Sequence, residues 1–184
     1  MVTASGSDAV ESGVNALLRL EYRGYDSAGI ATLADGSIYV AKKRGGINEG
    51  LVPEMRARQS DGDFPTIAPI AILHTRWATH GGATDMNAHP HTDCSGKIAV
   101  VHNGIVENYR ELKEELAAVG HVFRSETDTE VLAHLIEESR KAVPSLLEAI
   151  RMALARVRGT YGLLVLGADE PKSLFAVKQG SPLL

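Results

Sequence analysis

The chain has 184 residues, 44% of them hydrophobic and 23% charged, with a formal net charge of −4. This is the composition of an ordinary globular domain, long enough to bury roughly two-thirds of its unfolded surface. It excludes a basic nucleic-acid or membrane-surface binder and a bilayer span of roughly 18 apolar residues. The single cysteine, Cys94, excludes a disulfide framework or a multi-cysteine zinc site.

Met1–Ser7 has neither the basic nor the apolar region of a secretory signal, so a cytoplasmic protein is expected. Val10, Val14, Leu17 and Leu18 recur at helical spacing and predict a helix from Asp8 to Leu20, with Asp8 as cap. Ser27–Leu33 and Ser37–Lys42 predict a hairpin turning at Ala34-Asp35-Gly36. A weaker helix is expected over Asn48–Arg58, then a polar loop from Gln59 to Asp63. Ile70–Leu73 and Ile98–Val101 suit short buried strands. Between them, Thr75–Gly96 is rich in His, Thr, Gly, Asn and Asp and has no periodicity; such long loops are usually functional.

Three helices follow. Tyr109, Leu112, Leu116 and Val119 give the first, closed by Gly120. Thr127-Asp128-Thr129-Glu130 reads as a capping box led by Thr127, ahead of Val131, Leu132, Leu135 and Ile136. Pro144 suits the first turn of the third, with Leu146, Leu147, Ile150, Leu154 and Val157 inward. Leu163–Leu166 and Leu174–Val177 close the chain as strands. Hairpins and grouped helices favour antiparallel sheet packed with helices, an α+β fold, over a doubly wound parallel one.

Four clusters can carry chemistry: Glu21 to Gly29, His74 to Gly81, Val101 to Gly104 at a strand end, and Ser125 to Glu130 at a helix start. They suit a zwitterionic amino acid. Arg76 offers a planar fork for a carboxylate and Asp128 a carboxylate for an ammonium group. Asn103 and Gly104 offer a side-chain and a backbone N–H side by side, as an oxyanion hole requires. Trp77 can shield the site from water. Each residue alone has a plainer reading: a surface ion pair for Arg76, an N-cap for Asp128, a hairpin turn for Asn103-Gly104. Five histidines (His74, His80, His89, His91, His102) raise a metal, but there is no His-Glu-x-x-His helix and one thiolate, so no metal and no organic cofactor is expected.

Taken together, Glu21-Tyr22-Arg23-Gly24-Tyr25-Asp26-Ser27-Ala28-Gly29, His74 to Gly81, Asn87-Ala88-His89-Pro90-His91, Val101 to Asn108 and Thr127 to Glu130 resemble the class II glutamine amidotransferases. The likeness is to the glutaminase domain of the glutamine–fructose-6-phosphate aminotransferase branch, in order over nearly the whole chain. It implies the four-layer αββα sandwich of N-terminal-nucleophile hydrolases, with residues 1–184 as one such domain. It further implies that Arg76 binds the glutamine α-carboxylate and Asp128 the α-amino group, with Thr79 and His80 lining the pocket. Asn103 and Gly104 would form the oxyanion hole, Trp77 would sit near the gate of an ammonia channel, and Arg23 would support the N-terminal region. The implied partners are glutamine and two sugar-isomerase-like domains, absent from this sequence, that use fructose 6-phosphate.

Family members begin Met-Cys-Gly-Ile-Val-Gly, where the exposed cysteine thiolate attacks glutamine and its α-amino group acts as base. Met1–Ser7 has no cysteine and does not keep that strand's apolar pattern. The expectation is a domain incomplete at its N-terminus, deprived of ladder partners and core burial, and inactive as it stands. A misplaced start, a split gene or a non-catalytic glutamine-binding module would each give such a chain, as would another class II amidotransferase of the same build.

Overall fold

The computed structural model describes residues 1–6, 8–78 and 81–182. The chain forms two compact units, Met1–Pro90 and His91–Leu184.

The first unit is a four-stranded antiparallel sheet with helices. Its strands are β1 (Val2–Ser5), β2 (Ser27–Ala34), β3 (Ser37–Arg44) and β4 (Ile70–Arg76), in the order β1-β4-β2-β3. The β2–β3 hairpin turns as expected through Asp35 (φ 50) and Gly36 (φ 73), the positive-φ pair of a tight hairpin turn. Helix α1 (Ala9–Leu18) starts where Asp8 accepts a hydrogen bond from Glu11 N. Its Ala9, Val10, Val14 and Leu17 share a core with Ile30, Leu73, Ile47 and Leu51. A turn of π-helix at Ile47–Leu51 leads into α2 (Val52–Ser60), and Pro53 stands in the first turn, where the missing N–H costs nothing. That helix runs through Gln59 and Ser60, which the sequence assigned to a loop.

One part of the expectation for the N-terminus, the loss of ladder partners, is corrected. Val2–Ser5 pairs with β4 in register, Val2 opposite Leu73 and Ser5 opposite Ile70, so that edge of the sheet has its ladder. Backbone pairing needs no apolar alternation at an edge, which is why the residue pattern failed to announce it.

The second unit has the antiparallel order β5-β6-β7-β8, formed by His91–Thr92, Ile98–Val106, Gly159–Gly167 and Phe175–Gln179. Helices α3 (Tyr109–Ala118), α4 (Glu130–Arg140) and α5 (Leu146–Leu154) supply Leu112, Leu116, Leu132, Leu135, Ile136 and Ile150 to one core with Val100, Leu163 and Val165. Gly120 follows α3 at φ 101, as its sequence position implied.

Three details differ from expectation. Thr127 does not cap α4: Thr129 occupies the N-cap in helical conformation with no side-chain cap bond, while Glu130 accepts from Arg124 N, Ser125 N and the Ser125 hydroxyl. Pro144 lies before α5, whose cap is Ser145, accepting from Glu148 N. Leu147 is 41% exposed, since Leu146 takes the core-facing place beside it. Among the described residues no helix is long and apolar enough to cross a membrane.

Candidate functional site

In the first unit the placing of the candidate residues follows from how β4 ends. Arg76 is its last residue and pairs with Ser27 of β2. The preceding turn presses on that end: Asp26 N donates to Arg76 O at 3.2 Å, and Asp26 Oδ2 accepts from Ala78 N at 2.8 Å. A Cβ on Gly24 would lie 2.8 Å from the Arg76 carbonyl carbon and 3.0 Å from Trp77 N, so only glycine fits there. The Tyr-Arg-Gly-Tyr-Asp run is therefore a clamp on the Arg76–Ala78 backbone. Glu21, at its head, accepts from Ile47 N at 2.6 Å.

Arg76 is 5% exposed, and its guanidinium donates to the carbonyls of Gly82 and Gly81, each at 3.2 Å. Asn87 Nδ2 donates to the same Gly82 carbonyl at 3.0 Å. The rest of the loop is tied to β3. Lys42 Nζ donates to the carbonyls of Met86, Ala88 and Pro90 at 3.2, 2.9 and 3.2 Å, and Arg44 N donates to Asp85 at 2.8 Å. His74 stacks on His89, with ring centroids 4.2 Å apart. The stretch that looked structureless is thus held at many points, by backbone carbonyls that leave no pattern in the residues.

Trp77 is 57% exposed and meets Tyr25 edge to face at 5.4 Å. Arg23 is exposed, lies over the Tyr22 ring, and acts on the Met1 amino group, whose pKa is lowered by burial and then by the Arg23 charge. The other two pocket residues named from the resemblance, Thr79 and His80, lie outside the described residues.

In the second unit, Asn103 and Gly104 do not end a strand as expected. They lie inside β6, opposite Gly162 and Tyr161 of β7. Ile98–His102 and Val106 are buried, while residues 103–105 are exposed. Gly104 has φ 147, and a Cβ there would stand 1.9 Å from the Thr160 carbonyl oxygen and 2.9 Å from His102 Nε2. At the start of β7, Gly159 (φ 131), opposite Val106, leaves room for the Ile105 carbonyl, which an added Cβ would meet at 2.0 Å.

Asp128, 6% exposed, accepts from Val106 N at 2.8 Å, so its carboxylate is fixed to the same strand just past Gly104. The Thr129 hydroxyl bridges Asp128 Oδ1 at 3.5 Å and His102 Nδ1 at 2.9 Å. Burial holds the His102 pKa below its usual value against the pull of Asp128, so the ring is neutral at pH 7. Burial alone would raise Glu130, but the His134 imidazole, the Arg124 N–H and the Ser125 hydroxyl and N–H pull it down to about 2. The sequence missed His102 and Thr129 as supports of Asp128. Their adjacency to Asn103 and Asp128 in the chain was the available signal.

The second unit also holds a pocket of about 260 Å³ lined by Asp93, Lys97, Glu137, Arg140 and Glu170 among others; none of the predicted site residues borders it.

A family model described as "Glutamine amidotransferase domain" matches residues 74–181. Among curated relatives, the glutamine–fructose-6-phosphate aminotransferase [isomerizing] of Pyrococcus horikoshii is 56% identical over 97% of this chain and 28% of its own length. Proteins of the same name from Aquifex aeolicus and Thermococcus kodakarensis are 53% and 50% identical over 93% and 96% of this chain. The chain spans only 27–28% of the length of these relatives. Among solved structures, the Bacillus subtilis glutamine phosphoribosylpyrophosphate amidotransferase, complexed with ADP and GMP, matches with TM-score 0.74 at 27% identity, over 96% of this chain and 36% of that one. A structure described as the allosteric regulatory enzyme of purine biosynthesis matches with TM-score 0.78, also at 27% identity and over the same shares. The likeness in fold extends over the two antiparallel sheets and their helices and agrees with the N-terminal-nucleophile hydrolase type. The chain belongs to the glutamine amidotransferase domain family.

Proposed function

We propose that this chain is the glutamine-handling part of a cytoplasmic glutamine–fructose-6-phosphate aminotransferase, which releases ammonia from glutamine for transfer to a sugar phosphate by partner isomerase domains. The observation that carries the reading is the exposed Asn103-Gly104 step inside the otherwise buried strand β6, beside the fixed carboxylate of Asp128. In this reading Arg76 takes the α-carboxylate of glutamine, Asp128 takes the ammonium group, and Thr79 and His80 line the pocket. Trp77 borders the ammonia exit and Arg23 steadies the N-terminal segment. The Asn103 amide and the Gly104 N–H stabilise the oxyanion formed as the side-chain amide is attacked. The names of the relatives support the choice of fructose 6-phosphate as acceptor.

The attack needs a nucleophile with a neighbouring free amine. Residue 2 of this sequence is Val2, and Cys94 is internal. Binding and turnover are therefore tested apart. Calorimetry of the chain should show L-glutamine binding without ammonia release, lost in Arg76→Ala and Asp128→Asn; absence of any heat with the unaltered chain sinks the reading. A version carrying an added N-terminal Cys-Gly-Ile-Val-Gly run should release ammonia, and Asn103→Ala in that version should lower kcat by roughly 10²–10³-fold. Glutamine binding with no turnover in either version favours a non-catalytic binding module instead.

A further inference from the structure

The second unit contains a cluster that the glutamine reading does not use. Cys94 sits in the turn between β5 and β6, His121 follows α3, and His134 and Glu137 stand three apart on one face of α4. Their ligand atoms face one another. Cys94 Sγ lies 3.7 Å from His121 Nδ1 and 3.5 Å from His134 Nδ1, and the two Nδ1 atoms are 3.4 Å apart. Glu137 Oε2 lies 3.0 Å from His121 Nδ1 and 3.4 Å from His134 Nδ1. Zinc bonds of about 2.0–2.3 Å to N, O and S, set tetrahedrally, require ligand atoms about 3.3–3.6 Å apart.

The outward-facing atoms agree. His121 Nε2 lies 2.9 Å from Glu138 Oε2, and His134 Nε2 faces Glu130 Oε1 at 3.7 Å. At His121 the hydrogen-bonded carboxylate favours the proton on Nε2 and leaves the Nδ1 lone pair pointing inward, the arrangement that orients metal-bound histidines; at His134 the Glu130 charge, beyond hydrogen-bond reach, favours the same tautomer. With both lone pairs inward, a thiol sulfur, two imidazole nitrogens and a carboxylate oxygen crowd together without enough hydrogens to satisfy every close pair. The Val122 amide donates to Cys94 Sγ at 3.5 Å, and Cys94 N donates to Glu137 Oε2 at 3.0 Å, so backbone groups also steer the two anionic ligands. The histidines are 7% and 1% exposed while Cys94 is exposed, which gives an ion a way in.

We propose that Cys94, His121, His134 and Glu137 bind one Zn²⁺ in a closed site of four protein ligands, joining the β5–β6 turn, the segment after α3 and helix α4. A mixed S, N and O set suits zinc, and four protein ligands leave no position for a reacting water, so the ion is structural. The sequence argued against a metal because its ligands come from three segments, with one thiolate and a His-x-x-Glu spacing on α4.

The test uses the tag-free 184-residue chain and metal ions alone. Zinc titrated against a chromophoric chelator should bind at one equivalent, and Co²⁺ in its place should give a thiolate-to-metal charge-transfer band. Cys94→Ser, at an exposed position, should abolish that band and weaken zinc binding by roughly 100-fold or more, whereas Glu138→Gln should weaken it by roughly 10–100-fold. Zinc should also protect the unmutated Cys94 thiol from a thiol reagent, and EDTA should reverse this, so the answer does not depend on any variant folding. Less than stoichiometric binding, affinity unchanged in Cys94→Ser, or a thiol equally reactive with and without zinc would overturn the proposal.

Discussion

At Gly104 an added Cβ would meet the Thr160 carbonyl oxygen at 1.9 Å, and the φ of 147 is one that L side chains rarely adopt. Gly104→Ala therefore combines crowding with backbone strain, and should destabilise the chain by about 2–4 kcal/mol in urea unfolding. Gly36, with φ 73 and nothing within 4 Å of its Cβ position, isolates the strain alone, and Gly36→Ala should cost about 1–2 kcal/mol. Equal losses at the two positions would contradict the close approach of β7. At this scale the charged candidate residues stand out in the sequence and the groups that hold them do not. Arg76 and Asp128 announce themselves by charge, whereas the carbonyls of Gly81 and Gly82 that hold Arg76, and the Val106 N–H that holds Asp128, are main-chain groups common to every residue.

Strand β6 carries the candidate Asn103-Gly104 step and pairs with β5 and β7. His102, on this strand, contacts Thr129 at the start of α4 and lies 3.5 Å from the Thr160 carbonyl of β7, with Asp128 as the charged group facing it. Burial lowers its folded-state pKa below the unfolded 6.5, so below that pH the unfolded chain takes up the proton more readily than the folded one. The contribution of neutral His102 is complete above about pH 6.5 and is lost as pH falls through the folded-state value. Unfolding free energy measured from pH 7.5 to 5 should fall less steeply in His102→Gln than in the parent; parallel slopes would rule this out. The extent of β6 itself was underestimated, because Asn103, Gly104 and the exposed 103–105 step interrupt the apolar run that marks a buried strand. Helices α1, α3 and α4 were readable from their apolar spacing. The capping of α4 was not, since Glu130 reaches back to Arg124 and Ser125 rather than to Thr127.

For the molecule as a whole, fold class was readable from hairpins followed by grouped helices, while sheet order was not. The order β1-β4-β2-β3 depends on which strands pair across long separations, and residue type does not encode that. Whole-chain charge yields a simpler expectation. With 23 acidic against 19 basic residues and a sequence pI near 6.0, mutual repulsion between copies is weakest near pH 6. Light scattering at fixed concentration should show most self-association near pH 6 and less at pH 8; a flat profile would assign association to apolar contacts instead.

Lys42 gives the loop before Pro90 a peculiar vulnerability. Its ammonium, gathering the Met86, Ala88 and Pro90 carbonyls, does the work that a bound potassium ion does in other proteins, but it is tethered and cannot be washed out. The loop's order therefore needs no dissociable cation and is exposed to a different chemistry. Acylation of this one amine would remove the charge and leave a single N–H donor for three carbonyl dipoles facing one another.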